Sequence, residues 1–450
     1  GYRAVGPGAD QDGEPAQCDG STAVQTRVTI AIANLKSREG SQFVSGMLSV
    51  TEAQTRIQTA FSRVSTENVT LPEALGRVLS SALTSPLDLP PFTNSSMDGY
   101  AVRAEDVRQI PASLRLVADI PAGFAPDRAI GNGEAARIMT GAVLPPGANA
   151  VVPVEDTETQ PGMPEHIDIL KTVKPGDYVR PQGSDLRAGT EVLPAGRQLN
   201  PQDLGLLAAL GMLHVPVFRR PRVALLSSGD ELAAPGEPLS PGKIYDSNSF
   251  TLSALIQQSG AQLISLGVAR DEQQQVEQLL QSAVEQHADL ILTSAGVSVG
   301  AFDYIRAVLE RSGSLTFWRV NVRPGKPLAF GAYRGIPLIG LPGNPVSAFV
   351  GFLLFVAPAI RTLAGLPEHT LQQFTAVLDE PIESDGRESY LRGSVRLEGG
   401  VYHAKQANNQ SSANIFALVH ANALLIVPSG VKSLPVGAEV KFYTIGNEGE

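Results

Sequence analysis

Four polar segments of the chain each follow a stretch that is typical of a buried strand. They are residues 227–232 (SSGDEL), 270–271 (RD), 293–300 (TSAGVSVG) and 341–345 (LPGNP). In an open α/β sheet the carboxyl ends of the strands meet at one edge, and ligands bind outside that edge. We therefore expect the four segments to line one ligand site.

Two of these segments have the features of an anion-binding loop. Small residues let backbone N–H groups approach a phosphate, and the N-terminus of a following helix adds positive potential. The residues concerned are Ser294, Gly296, Ser298 and Gly300 in the third segment, and Pro342, Gly343, Asn344 and Pro345 in the fourth. Asn344 can cap the following helix, and Pro345 suits its first position. Taken alone, a tight turn or a well-capped helix start explains each segment equally well.

Four carboxylates fall near the same predicted edge, namely Asp230, Glu231, Asp271 and Asp303. Each one alone is more readily explained as a helix cap or a solvated charge. Together, beside loops suited to anions, they would repel a phosphate unless a hard cation lay between them. Mg²⁺ accepts one or two carboxylates together with phosphate oxygens. This combination predicts a phosphorylated or oxyanionic ligand with magnesium.

Basic residues accompany the carboxylates in the segment 318–327 (WRVNVRPGKP), which carries Arg319, Arg323 and Lys326. Arginine presents a fork of N–H donors that suits oxyanions. The alternative is ordinary solvated charge on a strand and its loop. Two further polar turns, at 94–102 and 137–142, lie far away in the chain, and spacing alone assigns neither of them a role.

The order of strand-like and helix-like stretches predicts the sheet that would position these residues. Strand-like stretches at 223–227, 262–267, 289–294 and 315–322 alternate with helical stretches at 248–259, 272–286 and 303–312. Strands separated by helices imply a mostly parallel, doubly wound sheet. Two strands at 328–332 and 336–340 and a long helix at about 345–364 complete it.

The rest of the chain predicts smaller units. Helical patterns occur at 50–63 and 71–83, and residues 183–219 return to helix, with Asn200 as N-cap and Pro201 at the first position. Short alternating runs predict a small β domain from 92 to about 177 and a small β-barrel in roughly the last 80 residues. Residues 1–46 are expected to be a disordered or upstream-encoded extension.

Composition argues against several classes of protein. Lys plus Arg is 35 and Asp plus Glu is 45, and the net charge of -10 argues against a nucleic-acid binder. The single cysteine, Cys18, cannot form an internal disulfide or a cysteine-based zinc site, so a reducing compartment, the cytoplasm, is expected. The sequence contains no uninterrupted apolar stretch of about 18 residues, so a membrane span is not expected.

An ordered series of motifs makes the chain resemble the molybdopterin molybdenumtransferase family, with similarity to the carboxy-terminal domain of gephyrin. The resemblance runs from about residue 49 to residue 446, and a chance match to the whole series is not credible. The motifs are NSSMDGYAV at 94–102, RIMTGA at 137–142, PQGSDLRAG at 181–189, SSGDEL at 227–232, IYDSN at 244–248, SVGAFDY at 298–304, RPGKP at 323–327 and GLPGNPVSA at 340–348.

The resemblance implies an α/β multidomain protein that forms an elongated homodimer. Its active cleft would lie between the α/β domain of one subunit and the inserted domain of the other. The implied parts are a helical and extended linker domain (47–88 and 183–219), an inserted β domain (89–182), a doubly wound molybdopterin-binding α/β domain (220–368) and a C-terminal β-barrel (369–450).

The resemblance also implies roles for individual residues. The catalytic set comprises Asp98, Thr140 and Asp185 on the partner-subunit side of the cleft, and Glu231, Asp271, Asp303, Arg319 and Arg323 on the α/β side. Glu231, Asp271 and Asp303 would hold magnesium. The substrate-binding set is Ser228, Gly229, Asp230, Ser294, Gly296, Ser298, Gly300, Lys326, Pro342, Gly343, Asn344, Pro345 and Ser412. Ala295 departs from the family pattern, which has glycine there.

The activity implied by the resemblance is insertion of molybdate into adenylylated molybdopterin, with magnesium-dependent cleavage of the pyrophosphate and release of AMP and molybdenum cofactor. The expected protein partners are the molybdopterin adenylyltransferase and the acceptor apoenzymes. One alternative is that adenylyltransferase itself, although it lacks the inserted and terminal β domains. Another is a scaffold that binds molybdopterin or a partner protein without turnover; the retained carboxylates favour catalysis.

Overall fold

The computed structural model describes residues 46–158, 164–270, 272–295, 302–366 and 371–445, without the side chains of Phe302 and Asp303. These residues form two compact units, one of residues 66–218 and one of residues 46–65 together with 219–445. The predicted N-terminal extension lies outside the described residues except for Gly46. The finer division into four domains stays a prediction.

The unit of residues 66–218 is built around a six-stranded sheet, as the alternating runs predicted. In spatial order its strands are Ala150–Pro153, Gly99–Val102, Glu134–Ile138, Ala112–Ile120, His166–Ile169 and Thr157–Glu158. Along the first five residues of Ala112–Ile120, buried and exposed side chains alternate. This alternation follows from the two-residue period of a strand that packs one face on a core. The strand core includes Val102, Leu114 and Ile167.

The helix predicted at 71–83 is wrong in length, because only Leu71–Ala74 is helical. Leu75 leaves the helical region with ψ 128°, and Gly76 follows with φ +73°. Beyond that turn, Leu79 forms a β-bridge with Val217. Tertiary pairing therefore overrides the helical preference of the sequence.

The segment 183–219 is helical only at Pro201–Ala209. That helix starts as predicted, with Asn200 accepting a hydrogen bond from the backbone N–H of Asp203 and Pro201 at the first position. Asp203 completes a capping box and also pairs with Arg197 at 2.8 Å. The rest of the segment includes the strands Glu191–Leu193 and His214–Phe218, so the broader helical expectation is wrong.

The other unit contains a six-stranded sheet whose strands alternate with helices. The strands are β1 (Arg222–Ser228), β2 (Gln262–Ala269), β3 (Leu290–Ser294), β4 (Gly313–Arg319), β5 (Pro327–Tyr333) and β6 (Ile336–Leu341). The helices are α1 (Asn248–Gln258), α2 (Gln273–Glu285), α3 (Phe302–Ser312) and α4 (Pro345–Leu363). The helix predicted at 50–63 precedes them and is shorter, at Val50–Gln58.

The strand order is β2-β1-β3-β6-β5-β4. Only β5 runs antiparallel to its neighbours, and the other neighbouring pairs are parallel, which confirms the mostly parallel sheet. The chain passes from β1 outward to β2 and then back across to β3. The order therefore reverses between β1 and β3, the kind of position at which α/β sheets bind ligands.

The central strands are buried on both faces. All residues of β3, and all of β1 except the half-buried Arg222, are buried. Contacts of α1 with α4 and of α2 with α3 accompany this burial. A strand covered on both faces reads as a continuous apolar run, which is why LILTS and VALLSS show no alternation.

Helix α4 is long and apolar enough to cross a membrane by length and composition, with a mean hydropathy of 1.9. However, 67% of its most apolar window is buried inside the protein. Such burial is typical of the core helix of a globular domain, so its apolar character is explained by packing. A π-helical turn at Phe352–Val356 interrupts it.

The predicted C-terminal barrel is confirmed as five strands, since pairing of Glu388–Glu398 with Ala423–Val427 closes the sheet. The strands are Gln373–Leu378, Glu388–Glu398, Val401–Gln406, Ala423–Val427 and Glu439–Thr444. The short strand Val322–Arg323 pairs with the barrel at Glu388 and Ser389. The basic segment of the α/β domain is thereby attached to the barrel.

Candidate active site

The centre of the site is Asn248, the first residue of α1. Its side-chain amide donates to Oγ of Ser294 and to the carbonyl oxygen of Gly343, both at 2.8 Å. Ser294 ends β3, and Gly343 follows β6. Asn248 and Ser294 are both buried. One side chain therefore joins the two segments that the sequence predicted as anion loops.

A second set of hydrogen bonds joins the start of α1 to β1. The buried carboxylate of Asp246 accepts hydrogen bonds from the backbone N–H of Ser249 at 3.0 Å and from its Oγ at 2.5 Å. Oγ of Ser249 lies 2.7 Å from Oγ of Ser227, near the end of β1. The ends of β1, β3 and β6 are thus linked through one short segment, residues 246–249.

The hydroxyl of Ser228 finds no hydrogen-bond partner within the described part of the chain. Ser228 is the last residue of β1 and is only 3% exposed. Burying a hydroxyl without a partner costs about 1–3 kcal/mol. An orphaned hydroxyl at the switch point fits a ligand that supplies the missing oxygen or N–H.

Glu231 turns back over the same strand end. A Cβ at Gly229 would lie 2.7 Å from Oε2 of Glu231, and Gly229 has φ +146°. Both facts explain why glycine occupies this position. Asp230 is exposed, and its carbonyl oxygen accepts a hydrogen bond from Nζ of Lys243. The carboxylate of Glu231 therefore lies over Gly229 at the end of β1.

Ala295 and Gly343 lie against each other where the two loops meet. A Cβ at Gly343 would be 3.2 Å from Cβ of Ala295, tighter than most real contacts. Ala295 has φ +69°, in the left-handed region that favours glycine. Alanine in this conformation carries a cost of about 1–2 kcal/mol.

Asn344 is at the N-cap position of α4, and Pro345 follows at the first position, as predicted. The prediction that the Asn344 side chain caps the helix is wrong. Instead, Nδ2 of Asn344 donates to Oγ of Ser412 at 3.0 Å, and the helix N–H of Val346 donates to the carbonyl oxygen of Ser412 at 3.0 Å. The barrel loop supplies the cap and places Ser412 beside this helix start, whereas its predicted role in substrate binding stays a prediction.

Arg392 holds that barrel loop in place. Its side chain is 1% exposed, and its guanidinium donates to the carbonyl oxygens of Asn409, Ser411 and Asn414 at 2.9–3.0 Å. Gln410 completes the arrangement by donating to the carbonyl oxygen of Arg392 at 2.8 Å. Burial lowers the pKa of the Arg392 guanidinium. The guanidinium therefore donates to three backbone carbonyl oxygens and to Oε1 of Gln410, all of which can only accept.

Of the predicted basic residues, Arg319 ends β4, Arg323 belongs to the short strand Val322–Arg323, and Lys326 lies in the loop before β5. A Cβ at Gly325 would lie 3.6 Å from the carbonyl oxygen of Ser347 and 3.9 Å from Cγ of Pro342, so this loop adjoins the start of α4. Arg319 and Lys326 are exposed, and Arg323 is half-buried. Positive charge is therefore available next to the Pro342–Pro345 turn.

In the unit of residues 66–218, Asp98 and Thr140 form a direct pair. Oδ1 of Asp98 accepts from Oγ1 of Thr140 at 2.6 Å and from its backbone N–H at 2.7 Å. These two hydrogen bonds, with a smaller effect of Arg137, hold the pKa of the Asp98 carboxyl below its usual value. Asp98 is therefore a carboxylate at neutral pH, with Oδ1 engaged by Thr140.

Asp185 lies in the same neighbourhood of that unit. Its Oδ2 accepts from Nη2 of Arg180 at 2.6 Å. The strand Val179–Arg180 pairs with Asn94–Ser95, and the carbonyl oxygen of Ser95 accepts from the N–H of Gly141. The motifs that contain Asp98 and Thr140 are therefore adjacent, and Asp185 pairs with the end of the strand beside them.

Some predicted residues cannot be placed. Asp271, Gly296, Ser298 and Gly300 lie outside the described residues; Asp303 is in α3, without a described side chain. Among the residues that the structure describes, no group of three or more Asp, Glu, His or Cys could hold a metal ion. The magnesium cluster therefore stays a prediction.

Reasoning from residue types missed Asn248, Asp246 and Arg392 as site residues. A signal existed for the first two, because IYDSN at 244–248 is one of the family motifs. From its residue type alone, the uncharged Asn248 suggests no chemistry, and neither does Asp246, whose carboxylate is paired with Ser249. Arg392 gave no signal at all, since nothing in ESYLRGS predicts a fully buried guanidinium.

Three family models match the chain in order. The MoeA N-terminal region (domain I and II) matches residues 48–211, a probable molybdopterin binding domain matches 224–362, and the MoeA C-terminal region (domain IV) matches 375–445. The sheet with its switch-point site is thus a domain of the molybdopterin-binding class, accompanied by the MoeA N-terminal and C-terminal regions.

Individual relatives cover most of the chain. The molybdopterin molybdenumtransferase of Nostoc sp. is 42% identical over 390 residues, which is 84% of this chain and 88% of that protein. Molybdopterin molybdenumtransferase 2 of Mycobacterium tuberculosis is 39% identical, over 84% and 94%. A crystal structure of the molybdopterin biosynthesis MoeA protein from Pyrococcus horikosii has TM-score 0.75 at 34% identity, over 89% and 99%. The chain belongs to the molybdopterin molybdenumtransferase family, a family of transferases.

Proposed function

We propose that this chain inserts molybdate into adenylylated molybdopterin and cleaves the pyrophosphate, releasing AMP and molybdenum cofactor. The observation that carries the proposal is the convergence of two anion loops at the switch point, beside the orphaned hydroxyl of Ser228. Family membership supplies the reaction class, and the site supplies the groups for a phosphorylated ligand.

Each described group has a part in this reaction. Ser228 would donate to a phosphate oxygen or accept from the ligand, and the start of α4 adds positive potential. Arg323 and Lys326, on either side of Gly325 in sequence, would hold the oxyanions of molybdate or phosphate. Ser294, held by Asn248, would keep the loop that follows β3 against the same ligand.

Magnesium fits the chemistry of the predicted donors. Glu231 offers carboxylate oxygens at the end of β1, and Asp271 and Asp303 would complete the set. When bound, the ion would offset negative charge on the phosphate oxygens as the phosphorus–oxygen bond breaks. The carboxylates of the site would then face the ligand without repelling it.

Asp98, Thr140 and Asp185 would contribute from a second copy of the chain. Within their own unit they form one neighbourhood whose carboxylates are already paired, with Thr140 and Arg180. A homodimer that brings this neighbourhood to the α/β site of the other subunit would complete the cleft. The proposed compartment is the cytoplasm, where the molybdopterin adenylyltransferase would supply the substrate and apoenzymes would accept the product.

The direct test measures AMP release from adenylylated molybdopterin in the presence of molybdate and Mg²⁺. We expect Asp303→Asn to lower kcat about 10²-fold, because charge neutralisation at the breaking bond would be lost. Asp127→Asn, at an exposed carboxylate in the other unit, is the matched control and should leave kcat unchanged.

Other outcomes would contradict the proposal. Binding of adenylylated molybdopterin by the wild-type chain without AMP release would indicate a scaffold. Consumption of ATP with molybdopterin would indicate the preceding adenylyltransferase. Equal rates for Asp303→Asn and the wild-type chain would remove Asp303 from the mechanism.

A further inference from the structure

The loops at the switch point are held by a residue that carries no charge. Asn248 is 8% exposed and bonds to Ser294 on one side and to Gly343 on the other. Both partners lie in predicted ligand-binding segments. Asn248 itself belongs to neither segment and was assigned no role from its residue type.

We infer that Asn248 is a positioning residue that sets the spacing of the two ligand loops, an inference that rests on the proposed transferase function. The amide would act on the reaction through Ser294 and Gly343. It would keep the end of β3, at Ser294, and the start of α4 at the separation that one phosphorylated ligand spans.

The chemistry of the site requires an amide at this position. Gly343 offers a carbonyl oxygen, which can only accept, so the atom facing it must be the donor Nδ2. The same nitrogen has a second N–H for Oγ of Ser294. Aspartate has the same shape but only acceptors when ionised, and it would add negative charge beside an anion site. Leucine has a similar size and no donor.

The positioning residue is itself firmly anchored. Asp246 and Ser249, on either side of the Ser247–Asn248 pair in sequence, form the hydrogen-bonded link to Ser227 of β1. The amide therefore holds the two loops relative to the sheet, as well as to each other. Buried hydrogen bonds of this kind are costly to leave unmade, so the arrangement has a single preferred geometry.

Ala295 and Gly343 bring the end of β3 and the start of α4 close together. Cβ of Ala295 leaves only 3.2 Å for a Cβ at Gly343, and Ala295 holds a left-handed conformation that its surroundings must impose. A displacement of about 1 Å in a reacting group can cost about 10² in rate. Loss of the amide should therefore lower kcat more than it raises KM.

The first experiment is hydrogen–deuterium exchange on the wild-type chain, Asn248→Leu and Ser294→Ala. Asn248→Leu should speed exchange about tenfold in both segments, 290–295 and 341–346, because both bonds are lost. Ser294→Ala should affect only the first segment. Gln257→Leu, at an exposed position of the same helix, is the control and should change neither. Unchanged exchange in Asn248→Leu would overturn the inference whatever the activity.

The second experiment compares AMP release by the same variants. Asn248→Leu and Asn248→Asp should lower kcat about 10²-fold with KM changed less than about threefold, and Gln257→Leu should match the wild-type chain. A wild-type kcat in Asn248→Leu would overturn the positioning role. The wild-type chain could release no AMP while Asn248→Leu still showed faster exchange in both segments. The proposed function would then fail, but the role of Asn248 in holding the two segments would stand.

Discussion

Nδ2 of Asn344 donates to Oγ of Ser412 across 3.0 Å, although 68 residues separate the two in the chain. The first residue belongs to the start of α4 and the second to a loop of the barrel. Because the carbonyl oxygen of Ser412 also accepts from Val346, the barrel caps a helix of the α/β domain. The barrel is therefore part of the candidate site.

The contact predicts energetic coupling between the two domains. Asn344→Ala and Ser412→Ala should each lower kcat/KM for AMP release, and the double variant should be no worse than the more damaging single one. Non-additivity is expected because both substitutions break the same hydrogen bond. Ser394→Ala, at an exposed barrel position, is the control. Strictly additive losses would mean that the two residues act separately.

Ala295→Gly should stabilise the unit that contains residues 219–445. A left-handed alanine costs about 1–2 kcal/mol, and the greater entropy of an unfolded glycine returns part of this, leaving a gain of about 0.5–1 kcal/mol. The measurement is urea unfolding followed by fluorescence of Trp318, the single tryptophan. Ala254→Gly, at an exposed site in α1, should lose about 1 kcal/mol. If both variants had a lower free energy of unfolding than the wild-type chain, Ala295 would not be strained.

Arg392→Met should destabilise the same unit by about 3 kcal/mol. The substitution removes the shared donor of the part-buried carbonyl oxygens of Asn409, Ser411 and Asn414, and a group left unmet costs about 1–3 kcal/mol before the loop relaxes. Arg396→Met removes a cation whose partners are surface carboxylates and should cost under about 1 kcal/mol. Equal losses would show that the loop does not depend on Arg392.

Thr140→Val should raise the pKa of Asp98 toward its ordinary value. The Oγ1 donor stabilises the carboxylate and is the largest cause of the lowered pKa; the backbone N–H bond remains, so the shift should be partial. A lowered pKa means that the stabilisation exists at neutral pH and is lost as pH falls through the folded-state pKa. Carbon-13 NMR titration of the Asp98 carboxyl measures it, with Thr190→Val as control. An unchanged pKa would contradict the assignment to Thr140.

The sequence by itself determined the class of fold and the edge of the sheet at which the site lies. Strands without alternation, separated by helical stretches, required a sheet buried on both faces, and polar segments such as SSGDEL could only fall at its carboxyl edge. These features are local and repeat along the chain. The helix start at Asn200 and Pro201 was predictable because its signal also lies in neighbouring residues.

Only the tertiary structure decided which side chains meet. The helix expected at 71–83 stops at Ala74 because Leu79 pairs with Val217, a partner about 140 residues away. Asn344, which local rules assign to its own helix, bonds to Ser412 instead. Asn248 and Arg392 find acceptors that no spacing encodes. Such contacts depend on where distant backbone oxygens come to lie, and this is fixed only when the domains have packed.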